Sequence, residues 1–125
     1  QVFDLLPKGG CLISTVPAYQ WLWSRHDEVH MHFRRYKKKD FAGMLKSAGF
    51  SIDYASYFNT FLFTPAVLKR FAEKITGSKA DESPVDEVSP GLNRIFTKIF
   101  MSERNILKGI SLPFGLSIVC IAKKD

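Results

Sequence analysis

The chain has 125 residues, of which 46% are hydrophobic and 14% aromatic. This composition excludes a disordered chain and is enough to build the core of one globular domain. The formal net charge is +6 at pH 7, and a positive surface attracts phosphate groups or anionic lipid. No apolar run approaches the ~20 residues of a membrane-spanning helix, and residues 1–10 lack the basic start and apolar stretch of a signal peptide. We therefore expect a soluble, cytoplasmic domain.

The cysteines of the chain are Cys11 and Cys120. They form neither a disulfide framework nor a Cys-x-x-Cys metal pattern. Each lies in a short apolar run, which predicts that both are buried thiols on strands.

The first elements in chain order are a helix and a strand. Residues 1–6 place their apolar side chains at helical spacing, and Pro7-Lys8-Gly9-Gly10 ends that helix in a turn. The apolar run Cys11–Val16 lies between a glycine and a proline, as is typical of a strand buried on both faces of an α/β sheet. Tyr19–Tyr36 has no sustained period and is predicted to be a long irregular connection, of the kind that often carries function.

A helix with its own start and stop signals is predicted next. Asp40 suits the capping position before the first turn. Gly49 suits the left-handed position after the last turn, with Phe50 placed to pack back on the helix. Ser51–Asn59 then has the composition of a strand. The apolar face of the helix consists of Phe41, Met44, Leu45 and Ala48.

Residues 60–109 are predicted to be a helical insertion between the last two strands. One helix is expected to start at Thr64-Pro65 and a second at Ser89-Pro90, because proline is favoured in the first helical turn. Residues 78–88 between them are polar and acidic and predict a flexible loop. Leu116–Ala122 is almost wholly apolar and predicts the final strand.

Three side chains of the long connection suggest a reactive site. His26, Asp27 and His32 fit a general base with its orienting carboxylate, a pair of metal ligands, or side chains that hydrogen-bond the loop backbone. A zinc site needs three or four ligands at defined spacing, and no cysteine or helical partner supports one here. We therefore predict no metal.

Basic and aromatic side chains surround these residues. Arg34, Arg35 and the lysines 37–39 form either a phosphate-binding group or a solvated helix entrance. The stretch Tyr57–Phe63 walls an apolar substrate pocket, touches a membrane surface or packs in the core. Other aromatic residues either stack on a flat ring or form the loop's own small core, namely Trp21, Trp23, Phe33 and Tyr36.

Several sequence blocks can be compared with known families, whereas no nucleophile elbow, P-loop or glycine-rich dinucleotide fingerprint is present. The blocks are Leu6-Pro7-Lys8-Gly9-Gly10, Val16-Pro17-Ala18-Tyr19, Trp21-Leu22-Trp23-Ser24-Arg25-His26-Asp27, His32-Phe33-Arg34-Arg35-Tyr36 and Ala48-Gly49-Phe50. In this order and spacing they resemble the C-terminal half of class I S-adenosylmethionine-dependent methyltransferases. Tyr57-Phe58-Asn59 and Leu112-Pro113-Phe114-Gly115 look like later blocks of one subgroup, so the resemblance covers nearly the whole chain.

The resemblance implies an α/β fold, the C-terminal part of a Rossmann-like methyltransferase sheet with flanking helices. Cys11–Val16, Ser51–Tyr57 and Leu116–Ala122 would be the fifth, sixth and seventh strands of that sheet, and residues 1–125 a single partial domain. In this family a glycine-rich loop after the first strand and an acidic residue ending the second hold S-adenosylmethionine. Neither strand is present here, which implies no cofactor-binding residue and no cofactor bound by this chain alone.

The resemblance also implies where a methyl acceptor, a small molecule, would bind. The loop after the fifth strand borders the acceptor pocket in such enzymes, and the aromatic insertion favours an apolar acceptor. Methyl transfer asks mainly for proximity and alignment, so no obligatory catalytic residue is implied. Met31 departs from the subgroup, which usually has glycine before this histidine. The substrate-binding candidates by position are Tyr19, Trp21, His26, Asp27, His32, Arg35 and Tyr36.

The sequence thus predicts a C-terminal methyltransferase fragment that carries the acceptor-side loop and is inactive alone. Gln1 at the start, and a chain that opens inside a helix, favour this interpretation. The alternative is a non-catalytic interaction or oligomerisation module derived from the same fold. Both predict a homo-oligomer joined through the edge of Cys11–Val16 or the helix faces beside it. Binding of nucleic acid by the basic loop is a third hypothesis, which no recognition motif supports.

Overall fold

The computed structural model of the chain describes residues 2–76 and 90–125, apart from the side chains of Arg25, His26, Glu73, Thr76 and Leu92. The polar loop predicted for residues 78–88 lies outside the described residues, as does the predicted cap Ser89.

The described residues form five helices, one short 3-10 helix and three strands. In chain order they are α1 (Val2–Leu5), β1 (Cys11–Pro17), the 3-10 helix (Gln20–Leu22), α2 (Arg25–Val29), α3 (Lys38–Ser47), β2 (Ser51–Phe58), α4 (Thr60–Thr76), α5 (Pro90–Leu107) and β3 (Ser117–Lys123).

The three strands form one sheet in the order β1-β3-β2. β3 is antiparallel to both neighbours, pairing Val119 with Thr15 on one side and with Ser56 on the other. β1 and β2 therefore run parallel to each other, joined by the connection that contains α3. The predicted α/β class and its three strands are confirmed at this level.

The core lies between α3 and one face of the sheet. Phe41 and Leu45 of α3 are buried against Ile118, Cys120 and Ala122, which alternate along the central strand β3. Burial raises the pKa of the Cys120 thiol, and the prediction of a buried thiol is confirmed there.

The prediction for β1 is wrong on one face. Cys11 is exposed, and 69% of Ile13 is exposed as well. β1 is one of the two edge strands of this sheet, and the side chains on one of its faces, at Cys11, Ile13 and Thr15, are exposed. The apolar run predicts a strand covered on both faces, but none of the described residues covers the second face.

The predicted stop of α3 is confirmed, whereas its start is not. Gly49 has φ +100°, and the N–H of Phe50 donates to the carbonyl of Leu45 at 3.1 Å. The helix begins at Lys38 with Lys37 at the capping position and no side-chain cap. Asp40 therefore lies inside the first turn, where its carboxylate still faces the positive end of the helix dipole.

Helix α4 begins at Thr60, four residues before the predicted start, and Pro65 lies inside it. Asn59 turns the chain with φ 60°. The buried carboxylate of Glu103, in α5, then accepts the N–H of Thr60 at 2.9 Å. A capping group from a distant part of the chain has replaced the local signal at Thr64-Pro65.

Helix α5 is attached to the sheet at its C-terminal end. The hydroxyl of Tyr54, on β2, donates to the carbonyl of Leu107 at 2.9 Å. The same hydroxyl lies 3.2 Å from the carbonyl of Ile110. Among the helices described here, none combines the length and apolar composition needed to cross a bilayer.

Candidate functional site

A cleft of about 380 Å³ lies where β1 and β2 end and β3 begins. Because β1 and β2 run in the same direction on either side of β3, the carboxyl ends of both strands border this cleft. The long connection after β1 forms one wall and α4 the other. The cleft is lined by Pro17, Leu22, Ser24, His32, Arg35, Asn59, Ala66, Lys69, Arg70, Leu116 and Ser117.

The carboxylate of Asp27 is the centre of the wall that follows β1. It is fully buried and accepts the backbone N–H of Ser24 at 2.9 Å and the Ser24 hydroxyl at 3.2 Å. Arg35 donates to it through Nε at 2.9 Å and through Nη2 at 3.0 Å. Burial alone would raise the pKa of Asp27, but hydrogen bonds from Arg35, His32 and Ser24 outweigh it and lower the pKa to about 2.

Arg35 connects this carboxylate to the end of β1. Its Nη1 donates to the carbonyl of Ala18 at 3.1 Å, and its backbone N–H donates to Oε1 of Gln20 at 3.0 Å. Tyr36, the next residue, forms an isolated parallel bridge with Ala18. The Asp27–Arg35 pair therefore closes the connection back onto the strand from which it starts.

His32 is the ring that this arrangement presents to the cleft. Its Nδ1 lies 3.1 Å from Oδ1 of Asp27. The ring also borders a second cavity of about 210 Å³ beside Thr15, Val16 and Phe58. A carboxylate only accepts hydrogen bonds, so the neutral imidazole carries its proton on Nδ1 and keeps Nε2 as a proton acceptor. This is the geometry of a general base with an orienting carboxylate.

Tyr19 and Trp21 lie in an aromatic cluster rather than in the lining of the cleft. Tyr19 stacks on Tyr57 with ring centroids 5.2 Å apart, and Phe63 of α4 lies 5.6 Å from it. Trp21 meets the same Phe63 edge-on at 6.3 Å. Burial and the neighbouring Tyr57 hydroxyl raise the pKa of Tyr19. The cluster holds the connection against α4.

Tyr36 packs at the entrance of α3. Its ring centroid lies 5.3 Å from that of Phe41, and the guanidinium of Arg34 lies 4.4 Å above the Tyr36 ring. Arg34 is exposed. Of the basic stretch 34–39, only Arg35 lines the cleft.

Two of the three histidine side chains, those of His30 and His32, are described by the structure. The side chain of His26, a substrate-binding candidate, lies outside the described residues. The rings of His30 and His32 have centroids 6.0 Å apart. Within residues 2–76 and 90–125 no group of three His, Cys, Asp or Glu side chains is arranged to hold a metal ion.

The opposite wall contains residues that the sequence did not single out. Asn59 follows β2, and Lys69 and Arg70 are consecutive on α4. Asn59 was predictable as a site residue because it lies at the carboxyl end of a strand, whereas the two α4 residues carried no local signal. Arg35 also lines the cleft, and its charge is balanced by the buried Asp27 carboxylate of the same wall. Of the three alternatives for Tyr57–Phe63, core packing is found for Tyr57, whereas Asn59 lines the larger cleft and Phe58 the second cavity.

Met31 adopts a backbone conformation that favours glycine. It has φ 52°, in the left-handed region, directly before His32. Glycine adopts this conformation without strain and other residues do not. The position turns the chain so that the N–H of His32 donates to the carbonyl of Asp27 at 2.8 Å.

Comparisons of the chain with models of known protein families, with curated proteins and with solved structures gave no match. The geometry of the cleft and the resemblance in sequence are therefore the basis of the function proposed below.

Proposed function

We propose that the chain is the acceptor-binding part of an S-adenosylmethionine-dependent methyltransferase and is inactive alone. The observation that carries this proposal is the position of His32, held by Asp27 at 3.1 Å beside a cleft at the carboxyl ends of β1 and β2. The sequence blocks that resemble the family include both of these residues. Resemblance and geometry thus support the same location for an acceptor.

The chemistry that this chain would supply is deprotonation of the acceptor. An acceptor hydroxyl next to His32 gives its proton to Nε2, and its oxygen keeps the electron pair and becomes the stronger nucleophile. The Asp27 carboxylate, which stays ionised because its pKa is lowered to about 2, stabilises the imidazolium formed in this step. His32 acts as the base and Asp27 as its positioning residue.

The residues described do not fit S-adenosylmethionine itself. β1 continues into Pro17-Ala18-Tyr19 and β2 into Asn59, so no glycine-rich loop follows either parallel strand to admit the cofactor's close approach. The methyl donor would have to be held by residues outside these 125, and no step involving it is assigned to this chain.

The lining of the cleft favours a polar acceptor. His32, Asn59 and Ser117 border it. Their side chains can exchange hydrogen bonds with hydroxyl and carbonyl groups. A small hydroxylated acceptor is therefore a better match to this cleft than a fully apolar one.

Calorimetry with S-adenosylmethionine tests the first half of the proposal. We expect no one-to-one binding heat from the 125-residue chain alone. Tight one-to-one binding would show that the cofactor site lies within these residues and would contradict the proposal.

Methyl transfer tests the second half. The protein is produced together with whatever residues are encoded before Gln1, which are also inspected for a strand followed by a glycine-rich loop. His32→Gln should lower the rate of transfer from labelled S-adenosylmethionine by about 100-fold, as expected for loss of a general base. The control is His30→Gln, two residues away and outside the cleft lining. Equal rates for the two variants would remove His32 from the proposal.

A non-catalytic interaction module is the second candidate function. The observation that favours it is the edge strand β1, which pairs on one side with β3 and within residues 2–76 and 90–125 has no strand on the other. An unpaired edge is a template for pairing with another chain. This candidate predicts a stable homo-oligomer by light scattering together with no methyl transfer by the longer protein, and a strict monomer would contradict it.

A further inference from the structure

Helix α4 presents an apolar stripe on its outward face. The side chains of Phe61, Leu68, Phe71 and Ile75 are 52%, 64%, 58% and 83% exposed. Their spacing of three, four and seven residues places them on one side of the helix. We call these four residues the α4 stripe.

The α4 stripe is not the face by which the helix packs on the domain. Phe63, which lies on the other side of the helix, contacts Tyr19 at 5.6 Å and Phe114 at 5.4 Å between ring centroids. The first turn is fixed by Thr60, whose hydroxyl donates to the carbonyl of Phe114 at 2.6 Å. The inward face therefore sets the orientation of α4, and the α4 stripe does not contribute to this packing.

Positive charge borders the α4 stripe on both sides. At 3.6 residues per turn, Lys69 and Lys74 lie about 110° from the centre of the stripe in opposite directions. Of the charged side chains on α5, Arg94, Lys98 and Arg104 are exposed, whereas Glu103 is buried against the start of α4. An apolar stripe flanked by lysines is typical of helices that lie in the interface of an anionic membrane.

We propose that α4 docks on an anionic lipid surface through the α4 stripe, with Lys74 directed to the headgroups. Long lysine side chains keep their ammonium groups in the headgroup region while their methylene chains follow the apolar surface. A second copy of the chain is a poorer occupant, because two α4 stripes face to face would bring like charges together. A helix that lies in the interface is also compatible with the finding that none of the described helices has the length and composition to cross a bilayer.

Vesicle co-sedimentation tests this proposal on the chain as it stands. We expect binding to phosphatidylcholine vesicles that contain about 30% phosphatidylserine, and little binding to phosphatidylcholine alone. Raising the salt from about 0.1 M to about 0.5 M should weaken the binding, since it screens surface charge. Equal binding to both kinds of vesicle would contradict the role of Lys74.

The double variant Leu68→Gln/Phe71→Gln should lower the partition coefficient about tenfold or more, because two apolar side chains no longer enter the interface. The matched control is Phe33→Gln, which removes one aromatic side chain that is 96% exposed in the connection after β1. A control that loses as much binding as the double variant would overturn the assignment to α4.

Phe71→Trp offers a second measurement with its own signal. The fluorescence of a tryptophan at this position should shift to the blue when anionic vesicles are added, as its ring leaves water. The background from Trp21 and Trp23 is taken from the parent chain. No shift, combined with a dimer in light scattering that Leu68→Gln/Phe71→Gln dissociates, would assign the stripe to a second copy and overturn the proposal.

Discussion

At the scale of single residues, Asp27 determines the shape of the wall that faces the cleft. It is buried and accepts hydrogen bonds from Ser24, His32 and Arg35. A buried carboxylate is tolerated only with such a full set of partners. Because these contacts favour the ionised carboxylate, the contribution of Asp27 to stability depends on pH.

Asp27 should contribute stability at neutral pH that disappears in acid. Its pKa falls from an ordinary 3.8 to about 2 in the folded chain, which corresponds to a contribution on the order of 2 kcal/mol. Because the folded pKa is the lower one, the contribution is complete above about pH 4 and is lost as the pH falls towards about 2. We expect the difference in the free energy of unfolding between the wild type and Asp27→Asn, measured with urea, to become smaller over this pH range.

Asp53→Asn is the control, since Asp53 is exposed on β2. At pH 7 we expect Asp27→Asn to lower the free energy of unfolding by about 3 kcal/mol, because Arg35 loses its charged partner, and Asp53→Asn to change it little. A difference that stays constant down to about pH 2 would mean that folding does not lower the pKa of Asp27.

Met31 holds a strained backbone conformation that glycine would relieve. With φ 52° and a side chain that is 79% exposed, it loses little contact on truncation. Met31→Gly should raise the free energy of unfolding by about 0.5–1 kcal/mol, the left-handed penalty less the entropy that glycine adds to the unfolded chain.

A second methionine provides the matched control for this change. Met44 is also exposed but lies inside the right-handed helix α3. Met44→Gly should destabilise by about 1 kcal/mol. Thermal unfolding of both variants checks the pair, and a loss of stability in Met31→Gly would show that the side chain has contacts that outweigh the strain.

At the scale of elements, the turn into β3 depends on a close backbone approach. A Cβ on Gly115 would lie 2.3 Å from the carbonyl oxygen of Phe58, at the end of β2. The turn therefore sets the separation of β2 and β3 at the edge where the cleft opens.

Gly115→Ala should destabilise the chain by on the order of 3 kcal/mol, because backbone atoms have to move to admit the methyl group. Gly43→Ala is the opposite case, since a Cβ there meets nothing within 4 Å inside α3. That substitution should stabilise by about 0.5–1 kcal/mol. Chemical denaturation of the two variants tests the contrast, and a neutral Gly115→Ala would contradict the close approach.

At the scale of the whole molecule, the edge strand β1 and its uncovered face should govern association. Ile13 is 69% exposed in the middle of β1. Ile13→Lys should shift the homo-oligomer that we expect towards monomer in light scattering, because a charge on an edge strand opposes pairing. Leu5→Lys, at an apolar site on α1 that is 84% exposed, is the control. An oligomer unaffected by Ile13→Lys would place the contact elsewhere.

Local signals in the sequence determined much of the fold. The three strands and the helix ending at Gly49 follow from short-range periodicity and from the freedom of glycine at positive φ. The sequence predicts that the connection after β1 contains the site, because this segment combines histidine, arginine and aromatic residues. The sequence did not decide which role each of these residues has, because the roles depend on contacts such as the pair between Asp27 and Arg35, eight positions apart.

Only the tertiary structure decided the rest. Helix α4 begins at Thr60 because Glu103, 43 positions away, accepts its N–H. Lys69 and Arg70 line the cleft because α4 forms one of its walls, and Cys11 is exposed because no described element covers that face of β1. The local sequence pattern determines which secondary structure a segment can form by itself. Helix caps, clefts and exposed strand faces depend instead on contacts with residues that are distant in the sequence.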